Sequence, residues 1–369
     1  MKDQPLYMQI ACDVIDNICN GSLRPEERIP SESELMEAYH VSSITAKNAL
    51  AFLCDQGYII KIRGKGSFVS TLSELSTIEQ FNDTKFDRAN SNAKAIGIIM
   101  PSMKTSVEHE LLDEIEYYTS QTEFMLILKI SRESQEIESK AIQELVKQGV
   151  SGLIIFPAEK ELYNDDILKL SVEQYPFVFI DRYLNGLKAR TVTTNNYEIT
   201  KNVVSRMIKK RNDNLIFISP DSKNSVTLDR VRGFEHALFD HNIPINRSHF
   251  CMYSTELVAY EDRYRCIKDA MKKRNYTAGI FCANQEVANV VANILEEMFP
   301  DNIDNIELCC FDYFDNKHFG YIQQNIPEIA HISVTMLMEA IKGNNKLEQI
   351  EVNAKYIDKT ERDNVKNVL

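Results

Sequence analysis

The longest regular pattern in the chain begins at residue 95, where short apolar runs alternate with amphipathic stretches. The apolar runs lie at 95–100, 124–130, 151–156, 177–180, 214–218, 278–282 and 306–311. The amphipathic stretches lie near 106–121, 134–149, 196–210, 229–242, 260–274 and 285–298. Because buried parallel strands are continuously apolar and are joined by helices, this alternation predicts an α/β fold with helices on both faces of a parallel sheet. The stretch is too long for one small domain, so we expect two subdomains with a ligand cleft between their strand ends.

The first 70 residues follow a different pattern, in which short amphipathic helices precede two strand-like runs. A first helix ends at Gly21, and its predicted apolar stripe is Leu6, Ile10, Val14, Ile15 and Ile18. Ser31 and Glu34 have the spacing of a capping box, which predicts a second helix to about Tyr39. Ser42 is the predicted N-cap of a third helix, whose inward residues are Ala46, Ala49, Leu50 and Leu53.

A β-hairpin is predicted after the third helix, with its turn at residues 64–66. Two short helices joined by a tight turn form the geometry that places a recognition helix in the major groove of DNA. The pattern therefore predicts a winged helix-turn-helix. The alternative is a small helical module that binds another protein, although a Gly-Lys-Gly turn has no evident purpose in such a module.

Four motifs in this region resemble the GntR family of bacterial transcription factors. They are PLYMQI at 5–10, PSE-x-EL at 30–35, VS-x-x-T at 41–45 followed by AL, and RGKGSFV at 63–69. The resemblance implies a domain that binds double-stranded operator DNA. The DNA-binding positions of the family fall on Ser31, Ser33, Ser42, Ser43, Thr45, Lys47, Arg63, Lys65 and Gly66.

The chain departs from the family pattern at three of these positions. The family often has arginine where Ser33 and Ser43 stand, and lysine replaces arginine at Lys47. Since an arginine fork reads guanine with two hydrogen bonds, these departures weaken guanine recognition. The local charge still favours DNA, because residues 41–70 contain four basic residues against one acidic residue.

Composition excludes several classes of protein. The chain has 369 residues, a formal net charge of −12 and 44% hydrophobic residues, which are values of a globular protein that does not coat nucleic acid non-specifically. No apolar window is long enough for a membrane helix, and the N-terminal residues lack the layout of a signal peptide. The eight cysteines lack metal-ligand spacing. We expect a cytoplasmic protein with reduced thiols, no metal and no cofactor.

The part of the chain after residue 95 resembles the LacI/GalR effector-binding domain, which is itself similar to periplasmic sugar-binding proteins. Matching stretches are AIGIIMPS at 95–102, SGLIIFP at 151–157, PFVFIDR at 176–182, TLDRVRGFEHAL at 227–238, GIFCANQEVA at 279–288 and FDYFD at 311–315. The polar stretch between the two resemblances is typical of a linker. We expect a DNA-binding domain at 1–70, a linker at 71–94, and an effector-binding and dimerisation domain at 95–369.

Polar side chains stand where the predicted strands end, which is where an open α/β sheet binds its ligand. Aspartate carboxylates accept hydrogen bonds from vicinal hydroxyls, and an arginine fork donates to the same oxygens, so the set suits a neutral polyol. The candidate effector-binding residues are Ser102, Asp181, Arg230, Asn284, Asp312 and Gln324. Three of them also have a purely structural interpretation. Asp181 can pair with Arg182, Arg230 can brace a carboxylate on its own helix, and Asn284 can be an N-cap.

The chain contains none of the sequence motifs that mark hydrolases, phosphate-binding loops or metalloproteases, so we expect no enzyme activity. The combination of the two resemblances is similar to the arabinose-repressor type of the GntR family. It implies a repressor that binds operator DNA as a homodimer and is controlled by a small sugar, for which we expect a pentose or a 6-deoxyhexose. Two alternatives stay open. One is a sugar-binding receptor or sugar-processing enzyme whose N-terminal domain at 1–70, called the head below, does not bind DNA. The other is a constitutive architectural DNA-binding protein.

Overall fold

The structure is a computed structural model. It describes residues 6–19, 22–55, 58–62, 65–70, 95–159, 164–211, 214–257, 259–273, 279–300 and 303–361. The predicted linker at 71–94 lies outside these residues, as do the predicted helix stop at Gly21, the candidate DNA-binding residue Arg63 and the turn residue Gly64.

The N-terminal part consists of three helices and a two-stranded antiparallel hairpin. Its elements are α1 (Leu6–Cys19), α2 (Glu32–Tyr39), α3 (Ser43–Asp55), β1 (Ile59–Ile62) and β2 (Gly66–Val69). The capping box predicted at Ser31 and Glu34 is confirmed, since each side chain bonds the backbone N–H of the other residue. Ser42 caps α3 as predicted, with its Oγ accepting from the backbone N–H of Thr45.

The core of this part contains the four residues of α3 that were predicted to face inward. The stripe predicted for α1 is confirmed at Ile10, Val14 and Ile15, but it is wrong at Leu6, which is 52% exposed. Met8 and Ala11 are buried on α1, so its buried face is rotated and displaced relative to the predicted one.

The rest of the chain forms two six-stranded sheets. The first has the strand order β13-β7-β6-β5-β3-β4 and is parallel throughout. Its strands are β3 (Ala95–Met100), β4 (Met125–Ile130), β5 (Leu153–Ile155), β6 (Phe177–Ile180), β7 (Arg190–Thr194) and β13 (Gln349–Val352). The second has the order β14-β12-β11-β10-β8-β9, and only β14 runs antiparallel to its neighbour. Its strands are β8 (Leu215–Pro220), β9 (Phe250–Tyr253), β10 (Gly279–Cys282), β11 (Leu308–Phe311), β12 (Gly320–Gln323) and β14 (Lys355–Ile357).

Helices cover both faces of each sheet, so the predicted α/β class with two subdomains is confirmed. With the first sheet lie α4 (Ser106–Ser120), α5 (Gln135–Lys147), α6 (Asp165–Val172) and α11 (Ile326–Ile341). With the second sheet lie α7 (Asn196–Arg211), α8 (Ser225–Asp240), α9 (Tyr260–Lys272) and α10 (Gln285–Met298). The seven predicted strands and six predicted helices are all present, with ends that differ by a few residues.

Two helices and five strands were not predicted. Strand β7 has the sequence RTVTT, in which a single apolar residue has two polar residues on each side, yet all five positions are buried. Strands β9, β13 and β14 are short and lie at sheet edges, where exposed positions interrupt the apolar pattern. These strands are formed by their place in the sheet rather than by local composition.

The chain crosses three times between the two subdomains, and the crossings lie side by side. They follow β7, β12 and β13. Asn195, in the first crossing, bonds to residues at the end of β13 and in the third crossing. Its backbone N–H donates to the carbonyl oxygen of Val352. Its Nδ2 donates to Asn353 Oδ1 at 3.0 Å, and its Oδ1 accepts from the Ala354 N–H at 2.9 Å. These crossings form the hinge between the subdomains.

Helices α7 and α8 approach closely at Gly233, where a methyl group would lie 2.5 Å from the carbonyl oxygen of Tyr197 and 2.9 Å from Cβ of Thr200. Overpacking of this kind costs about 1–3 kcal/mol. We expect Gly233→Ala to lower the thermal unfolding midpoint by several degrees, whereas Glu235→Ala on the same helix leaves it unchanged. An unchanged midpoint in Gly233→Ala, measured by circular dichroism, would contradict the close packing.

Candidate functional site

A buried arginine lies at the centre of the cleft between the two sheets. Arg230, on α8, is only 6% exposed. Its Nε donates to Asn196 Oδ1 at 2.9 Å and its Nη1 donates to the carbonyl oxygen of Ala283 at 2.6 Å. The guanidinium carbon lies 3.4 Å from the centre of the Phe311 ring, which is a cation–π contact. Burial lowers the pKa of Arg230 to about 10, so the side chain stays charged at neutral pH.

Two aspartates from different sheets lie close enough to this arginine for its charge to act on them. Asp181 follows β6 of the first sheet and Asp312 follows β11 of the second. Burial raises the pKa of both carboxyl groups, while the positive charge of Arg230 opposes the increase at each. The charge of one buried arginine therefore acts on one carboxyl group from each subdomain.

Both aspartates have left-handed backbone conformations, with φ of 61° at Asp181 and 71° at Asp312. Their backbone N–H groups continue the sheets by donating to Val192 and Ile322. A non-glycine residue in this conformation costs of order 1 kcal/mol and is concentrated at functional sites, although aspartate tolerates it better than most residues. The two aspartates therefore occupy equivalent positions at the ends of β6 and β11.

Gln324 connects this site to the hinge. Its Nε2 donates to Asp312 Oδ1 at 2.7 Å, and its Oε1 accepts from the hydroxyl group of Thr194, the last residue of β7 before the first crossing. Gln324 follows β12 and so belongs to the second crossing. A single buried amide thus joins one cleft carboxylate to two of the three hinge segments.

Ser102 and Asn284 lie at strand ends as predicted, but both side chains have local partners. The Ser102 hydroxyl donates to the Glu108 carboxylate, with 2.6 Å between Oγ and Oε1. The Asn284 Oδ1 accepts from the Val287 N–H at 3.0 Å and caps α10. Burial raises the pKa of Glu108, but hydrogen bonds from the Ser102 hydroxyl and from the backbone N–H groups of Lys104 and Thr105 outweigh it, so the pKa is lowered.

The other two structural alternatives differ in outcome. Arg182 Nε lies 4.0 Å from Asp181 Oδ2, but its Nη1 also donates to Pro157 and contacts Glu133 at 3.5 Å. Arg230 does not brace Asp229, because Asp229 pairs with Arg232 at 2.9 Å. Arg230 instead contacts Asn196, Ala283 and Phe311. Asp181, by contrast, lies near Arg182 and is also influenced by the charge of Arg230.

Tyr183 and Gln285 make contacts between the two subdomains that the sequence did not predict. The Tyr183 N–H donates to Ser225 Oγ at 3.0 Å, and its hydroxyl donates to Asp229 Oδ2 at 3.5 Å. On the opposite rim, Ser106 Oγ donates to Gln285 Oε1 at 3.5 Å. The proximity of Tyr183 to Asp181 in sequence was the available signal, but its partners are more than 40 residues away.

The rim of the cleft carries an additional negative charge. Glu110 lies one turn after Ser106 on α4, and partial burial together with the charge of Asp312 raises its pKa. With Asp181 and Asp312 beside Arg230, carboxylates outnumber the cations in this part of the site. Such a site suits neutral hydroxyl groups better than a phosphate.

The candidate DNA-binding residues that the structure describes lie near the N-termini of α2 and α3 and at the hairpin turn. Glu32 of α2 holds two of them: it accepts from the Ser43 hydroxyl at 2.6 Å and lies 3.8 Å from Lys47 Nζ. The hydroxyl groups of Ser42 and Thr45 are 2.9 Å apart. Ser31 caps α2, and Ser33 is the second residue of that helix.

The hairpin turn brings a further basic residue to this surface. Lys65 lies in the turn, and Gly66 has φ of 113°, a conformation that favours glycine. A methyl group at Gly66 would lie 3.4 Å from Nε of Arg28, which the sequence analysis missed. Arg28 pairs by backbone with Phe68 of β2 and lies 3.4 Å from Glu34.

Within the described residues, no group of three or more His, Cys, Asp or Glu side chains could hold a metal ion. Among the parts of the chain that the structure describes, no helix has the length and apolar character needed to cross a bilayer.

Two family models match the chain and together cover most of it. The model described as bacterial regulatory proteins of the gntR family matches residues 6–69, and the periplasmic binding protein domain model matches residues 96–345. The chain therefore belongs to the GntR-type bacterial regulators that carry a periplasmic-binding-protein-like domain. It is a transcriptional regulator and not an enzyme.

The chain is similar to a named repressor in sequence and to two solved structures in fold. The arabinose metabolism transcriptional repressor of Geobacillus stearothermophilus is 23% identical over 320 residues, which cover 85% of this chain and 83% of the relative. The Cra transcriptional dual regulator of Pseudomonas putida, solved with fructose 1-phosphate, has a TM-score of 0.63 at 15% identity and covers 73% of this chain and 99% of its own. A solute binding protein of Mycobacterium smegmatis with bound glycerol has a TM-score of 0.62 at 16% identity and covers 74% of this chain and 96% of its own.

The cap made by Asn284 can be separated experimentally from any role in binding a ligand. We expect Asn284→Ala to destabilise the protein by about 1 kcal/mol, because a backbone N–H of α10 loses its acceptor. Asn284→Asp should retain the stability, since a carboxylate accepts the same bond and favours the helix N-terminus. Denaturant unfolding measures both, and equal losses in the two variants would contradict the cap.

Proposed function

We propose that this protein is a repressor that binds operator DNA as a homodimer and releases it when an unphosphorylated sugar, a pentose or 6-deoxyhexose, binds the cleft. The observation that carries the proposal is the buried Arg230, whose charge acts on Asp181 and Asp312 from the two subdomains, in a chain whose head belongs to a DNA-binding family. The effector-binding set is Ser102, Asp181, Arg230, Asn284, Asp312 and Gln324. The proposed DNA-binding set is Ser31, Ser33, Ser42, Ser43, Thr45, Lys47, Arg63, Lys65 and Gly66.

The chemistry of the cleft supports a neutral polyol as the effector. Each buried carboxylate accepts hydrogen bonds from sugar hydroxyls, and Arg230 donates to the same oxygens. The excess of carboxylates, with Glu110 at the rim, disfavours a phosphorylated sugar. The relative named as an arabinose metabolism repressor supports a pentose.

A physical connection between the cleft and the DNA-binding head supports control by the effector. The segment after β6 carries Asp181 and Tyr183, which line the cleft, and then Leu187, which packs against the apolar core of the head. Leu168 and Val172 of α6 join the same core. Closing the cleft on a sugar therefore acts on the surface where the head is docked, which shifts the population of head positions.

An exposed apolar surface supports the homodimer. On α4 and β4, at one edge of the first sheet, Tyr117 is 56% exposed, Met125 70% and Leu128 39%. A groove of about 690 Å³ lies between these elements. At the equivalent edge of the second sheet, Met252 of β9 is 37% exposed. We propose that a second copy of the chain covers this surface and so pairs two heads, as half-sites about one helical turn (~34 Å) apart require.

A receptor without DNA binding is the second candidate, because the same fold occurs in a transport-associated solute binding protein. DNA binding by the head distinguishes the receptor from the repressor. Affinity for duplex DNA that falls steeply as salt is raised supports the repressor, since basic side chains then release counterions from phosphates.

The effector proposal predicts a loss of sugar response in Arg230→Gln. We expect arabinose, xylose or fucose to raise the unfolding midpoint of the wild-type protein and to weaken its binding to a duplex enriched from a random library. Arg230→Gln should bind the sugar at least ~10-fold more weakly, because it loses charge-assisted hydrogen bonds worth about 1.5–3 kcal/mol each.

Arg232→Gln is the matched control, because Arg232 lies on the same helix and its side chain is 59% exposed. It should respond to sugar as the wild type does. DNA binding by sugar-free Arg230→Gln shows that this variant is folded. The proposal fails if DNA affinity is unchanged across the sugar panel and across their phosphates.

The dimer proposal predicts that a charge on the apolar surface separates the two copies. Met125→Glu should sediment as a monomer and bind the selected duplex at least ~10-fold more weakly, since a buried unpaired charge is costly and paired heads are lost. Ile137→Glu is the control, because Ile137 on α5 is 40% exposed, close to the value of Leu128 in the proposed interface; it should leave the dimer intact. A Met125→Glu protein that sediments like the wild type would refute this interface.

A further inference from the structure

The recognition helix exposes an apolar side chain beside its N-terminus. Ile44, the second residue of α3, is 71% exposed, the highest value together with Phe239 among the exposed large hydrophobic residues. Its polar neighbours are engaged within the head: Ser43 donates to Glu32, and Lys47 lies near the same carboxylate. Ile44 therefore extends beyond the polar groups at the end of the helix that enters the groove in proteins of this architecture.

Asn48 lies one helical turn after Ile44 and is also exposed. Among the described residues, no side chain or backbone group hydrogen-bonds its amide. Ala46, Ala49 and Leu50 form the buried face of α3, so Ile44 and Asn48 share the face that is opposite to the core. Ala51 is exposed on this face as well, and its small side chain permits close approach to the DNA.

We infer that Ile44 and Asn48 read A·T base pairs in the operator, with Ile44 against the methyl group of a thymine and Asn48 bidentate to an adenine. In the major groove only thymine presents a methyl group, and a side-chain amide matches N6 and N7 of adenine. The arginines that would read guanine are replaced by Ser33 and Ser43. This inference rests on the proposed DNA-binding function and assigns the sequence specificity of the head to two residues outside the proposed set.

The test begins with the full-length protein and a random duplex library. The enriched duplex should carry A·T pairs in each half-site. Replacing the contacted thymine by deoxyuridine removes only the methyl group, and we expect it to weaken wild-type binding about 3- to 5-fold per half-site. Ile44→Ala should bind the thymine duplex as weakly as the wild type binds the deoxyuridine duplex, and should not distinguish the two.

Asn48 is tested in the same way with 7-deazaadenine, which lacks the N7 acceptor. Wild-type affinity should fall about 5- to 10-fold, and Asn48→Ala should be insensitive to the replacement. Ile137→Ala, at an exposed isoleucine of the body, is the control and should retain the full sensitivity to both replacements. Ile44→Ala is expected to fold, because the side chain is exposed and alanine favours a helix.

The possible outcomes separate this inference from the proposed function. If the library yields no enriched duplex, DNA binding itself is refuted. If a duplex is enriched but wild-type binding ignores both replacements, or if Ile44→Ala and Asn48→Ala keep the wild-type sensitivities, the protein binds DNA and the assignment of these two residues is wrong.

Discussion

One buried guanidinium sets the chemistry of the ligand cleft. Removing Arg230 from water is costly unless its charge is compensated and its N–H groups are bonded. Asn196, the carbonyl oxygen of Ala283 and the Phe311 ring meet part of that requirement from within the second subdomain. The remaining compensation comes from carboxylates on both sides of the cleft. The electrostatics of the site therefore depend on how the two subdomains are placed relative to each other.

This dependence gives the cleft a reason to respond to a ligand. In the proposed mechanism, a sugar that bonds to the carboxylates and to the arginine has its best interactions when both strand ends are close to it, so its binding energy favours one arrangement of the hinge. In that mechanism Gln324 transmits the preference, because it bonds to a cleft aspartate and to Thr194 at the end of β7. The segment from Asp181 to Leu187 extends it to the head.

The sequence was most informative where structure is local. The capping box at Ser31, the inward face of α3 and the apolar central strands are determined by neighbouring residues, and they were predicted correctly. Strand β7 was missed because its buried threonines obtain their stability from strands on either side. The cross-cleft role of Tyr183 was missed for the same reason, since its partners come from a distant helix. Which strand ends carry polar residues could be predicted, but which of those residues face one another could not.

The triple crossing between the subdomains also has a consequence for how the chain is made. The first sheet contains β13, and its covering layer contains α11, both of which follow almost the whole second subdomain in the sequence. A chain emerging from the ribosome therefore completes its three-helix head early from local contacts, while the first sheet waits for residue 352. During synthesis the DNA-binding part exists before the part that controls it, and the two subdomains reach their final form nearly together.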